Sequence, residues 1–158
     1  MTEPFAIADA GPLIHLDEIG CASALEIFPT VLVPHEVALE IRRRPDGPGQ
    51  DALRRCKIRR PVRRVSPPIG TLSIADMAAI ELARHHQGLL ITDDLDLRDT
   101  AHLAGVQVVG TIGVIVRAGR LGALSADAAI AALDALLGES TLFITPNLIQ
   151  QAKRALES

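Results

Sequence analysis

The sequence predicts a doubly wound α/β fold, in which a mainly parallel sheet is flanked by helices. Short, uniformly apolar runs alternate with segments of helical periodicity, and such runs are typical of parallel strands that are buried on both faces. Prolines and glycines stand at the ends of most of these segments, where they stop one element or start the next. The 158 residues suffice for one domain with a sizeable core.

The first half of the chain predicts two strands, each followed by a helix. The apolar run at 5–8 ends at Asp9, and Pro12 is typical of the first turn of a helix. Apolar residues then recur at helical spacing up to Gly20, a residue that commonly ends a helix. The predicted elements are a strand at 5–8, helices at 13–19 and 22–28, a strand at 31–33 and a helix that follows Pro34.

A basic segment rich in proline and glycine, at about 42–70, interrupts this alternation. It holds ten of the 16 Lys and Arg residues, opposed only by Asp46 and Asp51, although the net charge of the chain is −3. We expect a mobile loop with one short helix near 51–56, whose positive charge suits a polyanion. A loop whose arginines only keep the protein soluble is the alternative.

The second half returns to alternating strands and helices. Ser73 stands three residues before Asp76, which is the spacing of a capping box at a helix start. The strand predicted at 89–92 runs directly into Asp93 and Asp94. The predicted elements are a helix from Ser73 to Gly88, a strand at 89–92, a helix through 97–103, a strand at 106–109, a helix at 111–118 that ends at Gly119, a helix at 125–137 and a last helix from about Pro146.

Five acidic residues are predicted to meet at one edge of the sheet. Asp9, Asp93 and Asp94 follow strands, and in parallel sheets the site lies beyond the carboxyl ends of the strands. Glu40 and Asp76 lie on helices that we expect to face the same edge. Carboxylates this close repel one another unless a cation neutralises them. Because Mg²⁺ and Mn²⁺ prefer oxygen ligands, the pattern predicts a divalent metal site for phosphodiester hydrolysis.

Each of these acids also has a purely structural interpretation. Asp9 and one of the acids at 93–96 are candidate helix caps, and Asp76 completes the capping box. Glu40 is placed to pair with Arg43 or Arg44 near the end of its own helix. Only the joint placement of the acids therefore indicates a metal site.

Composition and the absence of several motifs exclude other classes of protein. Aromatic residues make up 2% of the chain and are all Phe, so we expect nucleic acid to be held by its phosphates and not by stacked bases. Cys21 and Cys56 form no metal-binding or disulfide pattern, which is typical of a cytoplasmic protein with reduced thiols. No signal peptide, membrane-spanning run, P-loop, serine-hydrolase or zinc-protease motif is recognisable. The five histidines show no ligand spacing, and we expect no metal role for them.

Six segments spread over nearly the whole chain match one known family. They are IADAGPLIHL, VPHEVALEI, LSIADMAAIELA, LLITDDLDLRDTA, GVQVVGTIGVIVRAGRLG and TLFITPNLIQQAKRALE. In these segments the chain resembles the PIN-domain family of metal-dependent ribonucleases, particularly the small prokaryotic proteins related to VapC-type toxins. The resemblance implies a PIN-like domain over residues 1–158, bound Mg²⁺ or Mn²⁺, and cleavage of single-stranded RNA. It further implies a homodimer and, for toxin-type members, a cognate antitoxin protein.

The resemblance also assigns site residues one by one. Asp9 matches the acid after the first strand, Glu40 the acid of the helix after the second strand, and Asp76 the acid of the later helix. Asp94 matches the acid of a Thr-x-Asp pattern, with Asp93 as its neighbour. The expected catalytic residues are Asp9, Glu40, Asp76 and Asp94, and the expected metal ligands are Asp9, Asp76, Asp93 and Asp94.

The leading hypothesis is therefore a cytoplasmic, metal-dependent endoribonuclease, as the toxin-type component of a toxin–antitoxin pair and without membrane association. The basic segment would position RNA through its phosphates. The expected RNA-binding residues are Arg42, Arg43, Arg44, Arg54, Arg55, Arg59 and Arg60.

A catalytically silent PIN-like module that binds RNA or a protein is the main alternative. Gly11 stands where the family usually has a hydroxyl residue, and Ala75-Asp76 stands where relatives commonly have Gly-Glu. Both departures weaken the expected metal site. A phosphoacceptor or phosphatase domain is a third hypothesis, but it needs a lysine after a strand, and neither Lys57 nor Lys153 has that position.

Overall fold

The computed structural model describes residues 5–61 and 64–158. The strands in these ranges form one parallel sheet and are β1 (Phe5–Ala8), β2 (Thr30–Pro34), β3 (Lys57–Arg59), β4 (Leu89–Ile91) and β5 (Val108–Val109). The helices are α1 (Ala10–Glu18), a 3₁₀ helix (Ala22–Ile27), α2 (His35–Arg42), α3 (Gln50–Arg54), α4 (Ile74–His86), α5 (Leu95–Leu103), α6 (Thr111–Arg120), α7 (Ala126–Glu139) and α8 (Pro146–Glu157). None of these helices is long and apolar enough to cross a membrane.

The strand order β3-β2-β1-β4-β5 creates a switch point in the middle of the sheet. From β1 the chain moves outward through β2 to β3, and it then returns to the other side of β1 for β4 and β5. In sheets of this order, the crevice at the carboxyl ends of the two central strands is the usual ligand site. Asp9 directly follows β1, and Asp93 and Asp94 lie just beyond β4, so the topology places these acids at the crevice.

Alternate side chains of each strand point to opposite faces of the sheet. Ala6 and Ala8 of β1 belong to the apolar cluster that α1, α6 and α7 complete, whereas Ile7 belongs to a second cluster with α4 and α5. Helices therefore cover both faces, and this confirms the predicted doubly wound α/β fold.

Two helix ends differ from the prediction. α1 begins at Ala10, before Pro12, because Asp9 caps it. Gly119 lies inside α6 and is not its stop. A Cβ at position 119 would lie 2.9 Å from the Cβ of Ala129 and 2.7 Å from Cδ2 of Leu156. This glycine therefore permits the close packing of α6 against α7 and α8, a role that the sequence pattern does not distinguish from a helix end.

The largest difference lies in the basic segment, which contains an unpredicted strand. α3 lies near the expected short helix, and β3 then pairs in parallel with β2 at the edge of the sheet. The half-buried Ile58 is flanked by the exposed side chains of Lys57 and Arg59. One apolar residue in three gives too short an alternation for a strand to be predicted. The expected mobile loop is therefore wrong for residues 50–59, whereas Arg63 of the same segment lies outside the described residues.

Candidate active site

Five acidic side chains line one open cleft at the switch point of the sheet. The cleft has a volume of about 820 Å³. Its acidic lining consists of Asp9, Glu40, Asp76, Asp93 and Asp94. A second part of the lining is largely apolar and comes from the segment 141–144 and from α8. The structure thus brings together carboxylates that are far apart in the sequence.

Asp9 is held by two hydrogen bonds and is largely buried. The backbone N–H of Ala10 donates to Asp9 Oδ1 (2.8 Å), so that Asp9 caps α1, and Thr92 Oγ1 donates to Asp9 Oδ2 (2.9 Å). Burial raises the pKa of Asp9 from 3.8 to about 6 in spite of these bonds, and the charges of Asp76 and Glu40 add to the rise. Asp76 and Glu40 are therefore each close enough to Asp9 for their charges to act on it.

Thr92 connects the acids that follow the two central strands. Its side chain is completely buried. The hydroxyl donates to Asp9 Oδ2 and accepts the backbone N–H of Asp94 (3.1 Å). In the sequence, Thr92 was visible only as the first residue of the Thr-x-Asp pattern. Its position explains the pattern, because the hydroxyl fixes Asp9 relative to the backbone at Asp94.

Asp93 is tied into a network with two neighbouring helices. Its Oδ1 accepts the backbone N–H of Thr111 (2.8 Å), and its Oδ2 accepts the Thr111 hydroxyl and lies 2.8 Å from Nδ1 of His15. Burial alone would raise the pKa of Asp93, but the hydrogen bonds from His15 and Thr111 outweigh burial and lower the pKa below 3.8. Asp93 is therefore ionised and already well supplied with hydrogen-bond donors.

Asp76 and Asp94 each cap a helix with one carboxylate oxygen. Oδ2 of Asp76 accepts the N–H of Ser73 (2.8 Å) in the capping box of α4. Oδ1 of Asp94 accepts the N–H groups of Asp96 and Leu97 (2.9 and 3.1 Å) at the start of α5. The other oxygen of each carboxylate makes no hydrogen bond within the described residues. The capping contacts thus leave one oxygen of each acid for a ligand.

Glu40 and Asp96 differ in their access to the cleft. Glu40 is exposed on α2 and lines the cleft, and the expected ion pair with Arg43 or Arg44 is not formed. Asp96 accepts the hydroxyl of Thr71 (2.7 Å) and does not line the cleft. Glu40 therefore belongs to the acidic lining, and Asp96 does not.

The cleft offers suitable ligands for a divalent cation, although they do not enclose a site. Within 5–61 and 64–158, no three His, Cys, Asp or Glu side chains converge tightly enough to surround an ion. The chemistry of the donors nevertheless fits Mg²⁺ or Mn²⁺, because these cations prefer carboxylate oxygens and Mg²⁺ usually retains several water ligands. The raised pKa of Asp9 fits as well, since a cation would relieve the repulsion from Asp76 and Glu40.

The arginines of the basic segment lie at both the carboxyl and the amino ends of the strands. Arg59 is the last residue of β3, so the backbone of Arg59 and Arg60 lies at the carboxyl ends of the strands, but neither side chain lines the cleft. Besides burial, the charge of Arg59 helps to lower the pKa of the His86 imidazole at the end of α4. Arg54 and Arg55 precede β3 and lie at the amino ends of the strands, where Arg55 forms an ion pair with Glu26 (2.6 Å). The structure therefore does not bring Arg54 and Arg55 to the cleft.

Three further arginines of the segment lie close in sequence to Glu40. Arg42 is the last residue of α2, and Arg43 and Arg44 follow it. All three are exposed, and they take part in none of the ion pairs that the described residues form. None of them lines the cleft, and the carbonyl of Arg44 accepts a hydrogen bond from Gln50 of α3 (3.0 Å).

His15, Arg98 and Phe143 also line the cleft and were not predicted as site residues. Arg98 lies one helical turn after Asp94 on α5, and this spacing was a usable signal in the sequence. His15 has no other metal-ligand residue near it in the sequence, so the pattern predicts no site role for it, yet it contacts Asp93. Phe143 is 95% exposed and lies in an irregular segment, so no periodicity indicated its position.

Comparisons with known proteins agree with the observed architecture. A family model described as a PIN domain (DUF3368) matches residues 5–158. The chain is similar to the solved structure of a PilT N-terminus domain protein, SSO1118, from the hyperthermophilic archaeon Sulfolobus solfataricus P2. The TM-score is 0.56 and the sequence identity 22%, and the match covers 70% of this chain and 89% of that chain. At this identity the similarity concerns the fold alone. No curated protein matches the chain.

Proposed function

The chain belongs to the PIN-domain family, and we propose that it is a metal-dependent endoribonuclease that hydrolyses phosphodiester bonds of single-stranded RNA. PIN domains are usually nucleases, so membership supports nuclease-type activity in general. The observation that carries the specific proposal is the cleft at the switch point, where five carboxylates face one open space. Carboxylates at a ligand-binding edge suit a divalent cation and a phosphodiester substrate.

In this proposal Asp9, Asp76 and Asp94 hold the cation. Asp76 and Asp94 each have one carboxylate oxygen without a hydrogen bond among the described residues, and the oxygens of Asp9 each accept only one. A carboxylate oxygen has two acceptor positions, so these contacts and a ligand are compatible. Bound Mg²⁺ or Mn²⁺ would supply charge neutralisation and an activated water molecule.

The two remaining acids have different roles. Glu40 caps no helix and lines the cleft with an exposed side chain, and in this proposal it would accept a proton from the attacking water. Asp93 was a predicted metal ligand, but its oxygens already accept three hydrogen bonds. We therefore propose that Asp93 holds His15 and the start of α6 in place and adds negative charge to the cleft.

Five exposed arginines outside the lining of the cleft are proposed to contact the RNA backbone. Arg42 ends α2 and is followed by Arg43 and Arg44, whereas Arg59 ends β3 and is followed by Arg60. Contacts of this kind bind phosphates without reading the base sequence. The proposal does not include Arg54 and Arg55, which lie at the amino ends of the strands.

The finer parts of the proposal rest on the family resemblance alone. They are a single PIN-like domain over residues 1–158, a homodimer, and a toxin-type role with a cognate antitoxin protein. A cytoplasmic location is proposed from the pattern of Cys21 and Cys56.

A catalytically silent PIN-like module that binds RNA or a protein is the second candidate. One observation favours it specifically: Asp9, Asp76 and Asp94 all cap helices, and no three donor side chains of the described residues surround an ion. Gly11, which lines the cleft, adds no hydroxyl to the donor set.

Substitution of Asp76 distinguishes the two candidates. We expect Asp76→Asn to reduce the rate of RNA cleavage by about 10-fold or more, because the amide is a far poorer cation ligand than a carboxylate. The amide oxygen still accepts the Ser73 N–H, so α4 should remain capped. The measurement is cleavage of labelled single-stranded RNA with Mg²⁺, with Mn²⁺ and with EDTA.

Asp127→Asn is the matched control for this experiment. Asp127 is also an exposed acid in the first turn of a helix, but it does not line the cleft. Its substitution should leave the cleavage rate unchanged. Equal rates for the wild type and Asp76→Asn, or no cleavage by the wild type with either cation, would contradict the nuclease proposal.

A further inference from the structure

Arg98 is the only Lys or Arg among the described residues that line the acidic cleft. It lies on α5, one turn after Asp94. Five carboxylates line the same cleft, yet none of the ion pairs formed by the described residues includes Arg98. The guanidinium is therefore not engaged in a direct ion pair with any of these acids.

The guanidinium of Arg98 also contains a buried, unpartnered donor. Its Nε is shielded from solvent and has no hydrogen-bond partner in the described structure. A buried donor without an acceptor lowers the stability of a protein, and such a group calls for a specific explanation. Since Nε is shielded from solvent, the guanidinium must shift to meet an acceptor, and a ligand that enters the cleft supplies one.

Gly110 leaves room for the side chains of Arg98 and Asp93. A Cβ at position 110 would lie 3.3 Å from Arg98 Nη2 and 2.9 Å from Asp93 Oδ1, so a larger residue would have to displace one of them. Gly110 is the N-cap of α6, whose residues Ile112 and Gly113 also line the cleft. The carboxylate of Asp93 already occupies the start of α6, because it accepts the backbone N–H of Thr111, so Arg98 itself supplies the positive charge for an anion here.

We propose that Arg98 binds a phosphate group of single-stranded RNA in the cleft. This inference rests on the proposed function and deepens it, because it names the group that receives the substrate beside the acids. The planar guanidinium matches a phosphate with two parallel hydrogen bonds. It also counters the repulsion that the carboxylates exert on RNA.

The test is the binding of a fluorescently labelled single-stranded RNA oligonucleotide in EDTA, where no cleavage occurs. Fluorescence anisotropy over a series of salt concentrations gives both the affinity and its dependence on salt. We expect Arg98→Gln to weaken binding about tenfold at low salt. We also expect the slope of log affinity against log salt to fall in magnitude by about 0.7, the value for one phosphate contact on a single strand.

Two further variants complete the experiment. Arg98→Lys keeps the charge without the two-pronged geometry, so its affinity should lie between those of the wild type and Arg98→Gln. It also decides the outcome if melting curves show that Arg98→Gln does not fold. Arg84→Gln removes an exposed arginine of α4 that does not line the acidic cleft, and it should bind like the wild type.

The possible results separate this inference from the nuclease proposal. Wild-type affinity and salt slope in Arg98→Gln would overturn the inference, as would the absence of RNA binding by the wild type. If RNA binding depends on Arg98 but the wild type cleaves no RNA with Mg²⁺ or Mn²⁺, the inference stands and the nuclease proposal fails. If the wild type cleaves RNA but Arg98→Gln binds RNA like the wild type, the nuclease proposal stands and the inference about Arg98 fails.

Discussion

Substitution of Asp9 by asparagine is expected to abolish RNA cleavage and, at the same time, to stabilise the protein in the absence of metal. Cleavage should fall about 100-fold or more, because Asp9 is the most buried of the proposed ligands and its charge is needed for the cation. Burial and the charges of Asp76 and Glu40 raise the pKa of Asp9 to about 6, so its ionised form destabilises the fold at neutral pH. A neutral amide removes this penalty, but its nitrogen cannot accept the Thr92 hydroxyl as Oδ2 does, so we expect a net gain of about 1 kcal/mol.

The pH dependence of stability follows from the same pKa. Because the pKa of Asp9 in the folded protein lies above its ordinary value of 3.8, the folded state binds the proton more tightly than the unfolded state. The contribution of Asp9 to stability is therefore most favourable below about pH 4 and is lost as the pH rises through about 6. In the Asp9→Asn variant this part of the pH dependence should disappear.

Urea unfolding in EDTA between pH 4 and pH 8, together with the cleavage assay, checks both effects. Asp127→Asn is again the control, and it should change neither the free energy of unfolding nor the cleavage rate appreciably. A variant at Asp9 that loses stability at neutral pH while it still cleaves RNA would refute both the electrostatic account of the cleft and the assignment of Asp9 as a ligand.

Asp93→Ala is expected to have the largest effect on stability of any substitution in the cleft. The carboxylate accepts the backbone N–H and the hydroxyl of Thr111 and contacts Nδ1 of His15. Its removal leaves these donors without an acceptor in a largely buried position, and we expect a loss of about 3–5 kcal/mol in the free energy of unfolding. The change is measured by urea unfolding at pH 7.

Asp94→Ala is the matched control, because it removes the adjacent acid. Asp94 is exposed and caps α5, so its loss should cost only about 1 kcal/mol of stability. For catalysis we expect the opposite ranking of the two positions. Among the asparagine variants, Asp94→Asn should lower the rate of RNA cleavage more than Asp93→Asn does. Equal losses of stability for the two alanine variants would show that the network around Asp93 is not a structural anchor.

Acid unfolding gives a second view of Asp93. The pKa of this carboxyl is lowered below 3.8 because the hydrogen bonds from His15 and Thr111 outweigh the effect of burial. A lowered pKa contributes stability above the ordinary value, and this contribution is lost as the pH falls through the pKa of the folded state. Asp9 and Asp93 therefore have opposite effects on the pH dependence of stability.

The sequence predicted the strands β1, β2 and β4 and most helices because their signals are local. Uniform apolar runs between helical segments indicate buried parallel strands, and Ser73 with Asp76 indicates a helix start. The edge strand β3 could not be predicted in this way, since Ile58 is its only partly buried residue. Its position depends on pairing with β2, which is a contact between distant parts of the chain.

In the cleft, too, the residues with a local sequence signal were predictable, and those whose position depends on distant contacts were not. Asp9 and Asp94 were recognisable because each stands just beyond an apolar strand, and a parallel sheet brings such positions to one edge. The difference between Asp93 and Asp94 was not recognisable, because it depends on which carboxylate meets His15 and Thr111. Phe143 and the rest of the apolar lining come from the segment before α8, which reaches the cleft only through the packing of α6, α7 and α8.

The central claim is that Asp9 after β1, Asp76 on α4 and Asp94 after β4 form one binding site for a divalent cation. Titration with Mn²⁺ by isothermal calorimetry at pH 7.5 tests this claim most directly. We expect the wild type to bind Mn²⁺ in the range of about 10–1000 μM, and Asp9→Asn to bind it at least about 10-fold more weakly. No binding by the wild type at millimolar Mn²⁺, or equal binding by Asp9→Asn, would contradict the claim.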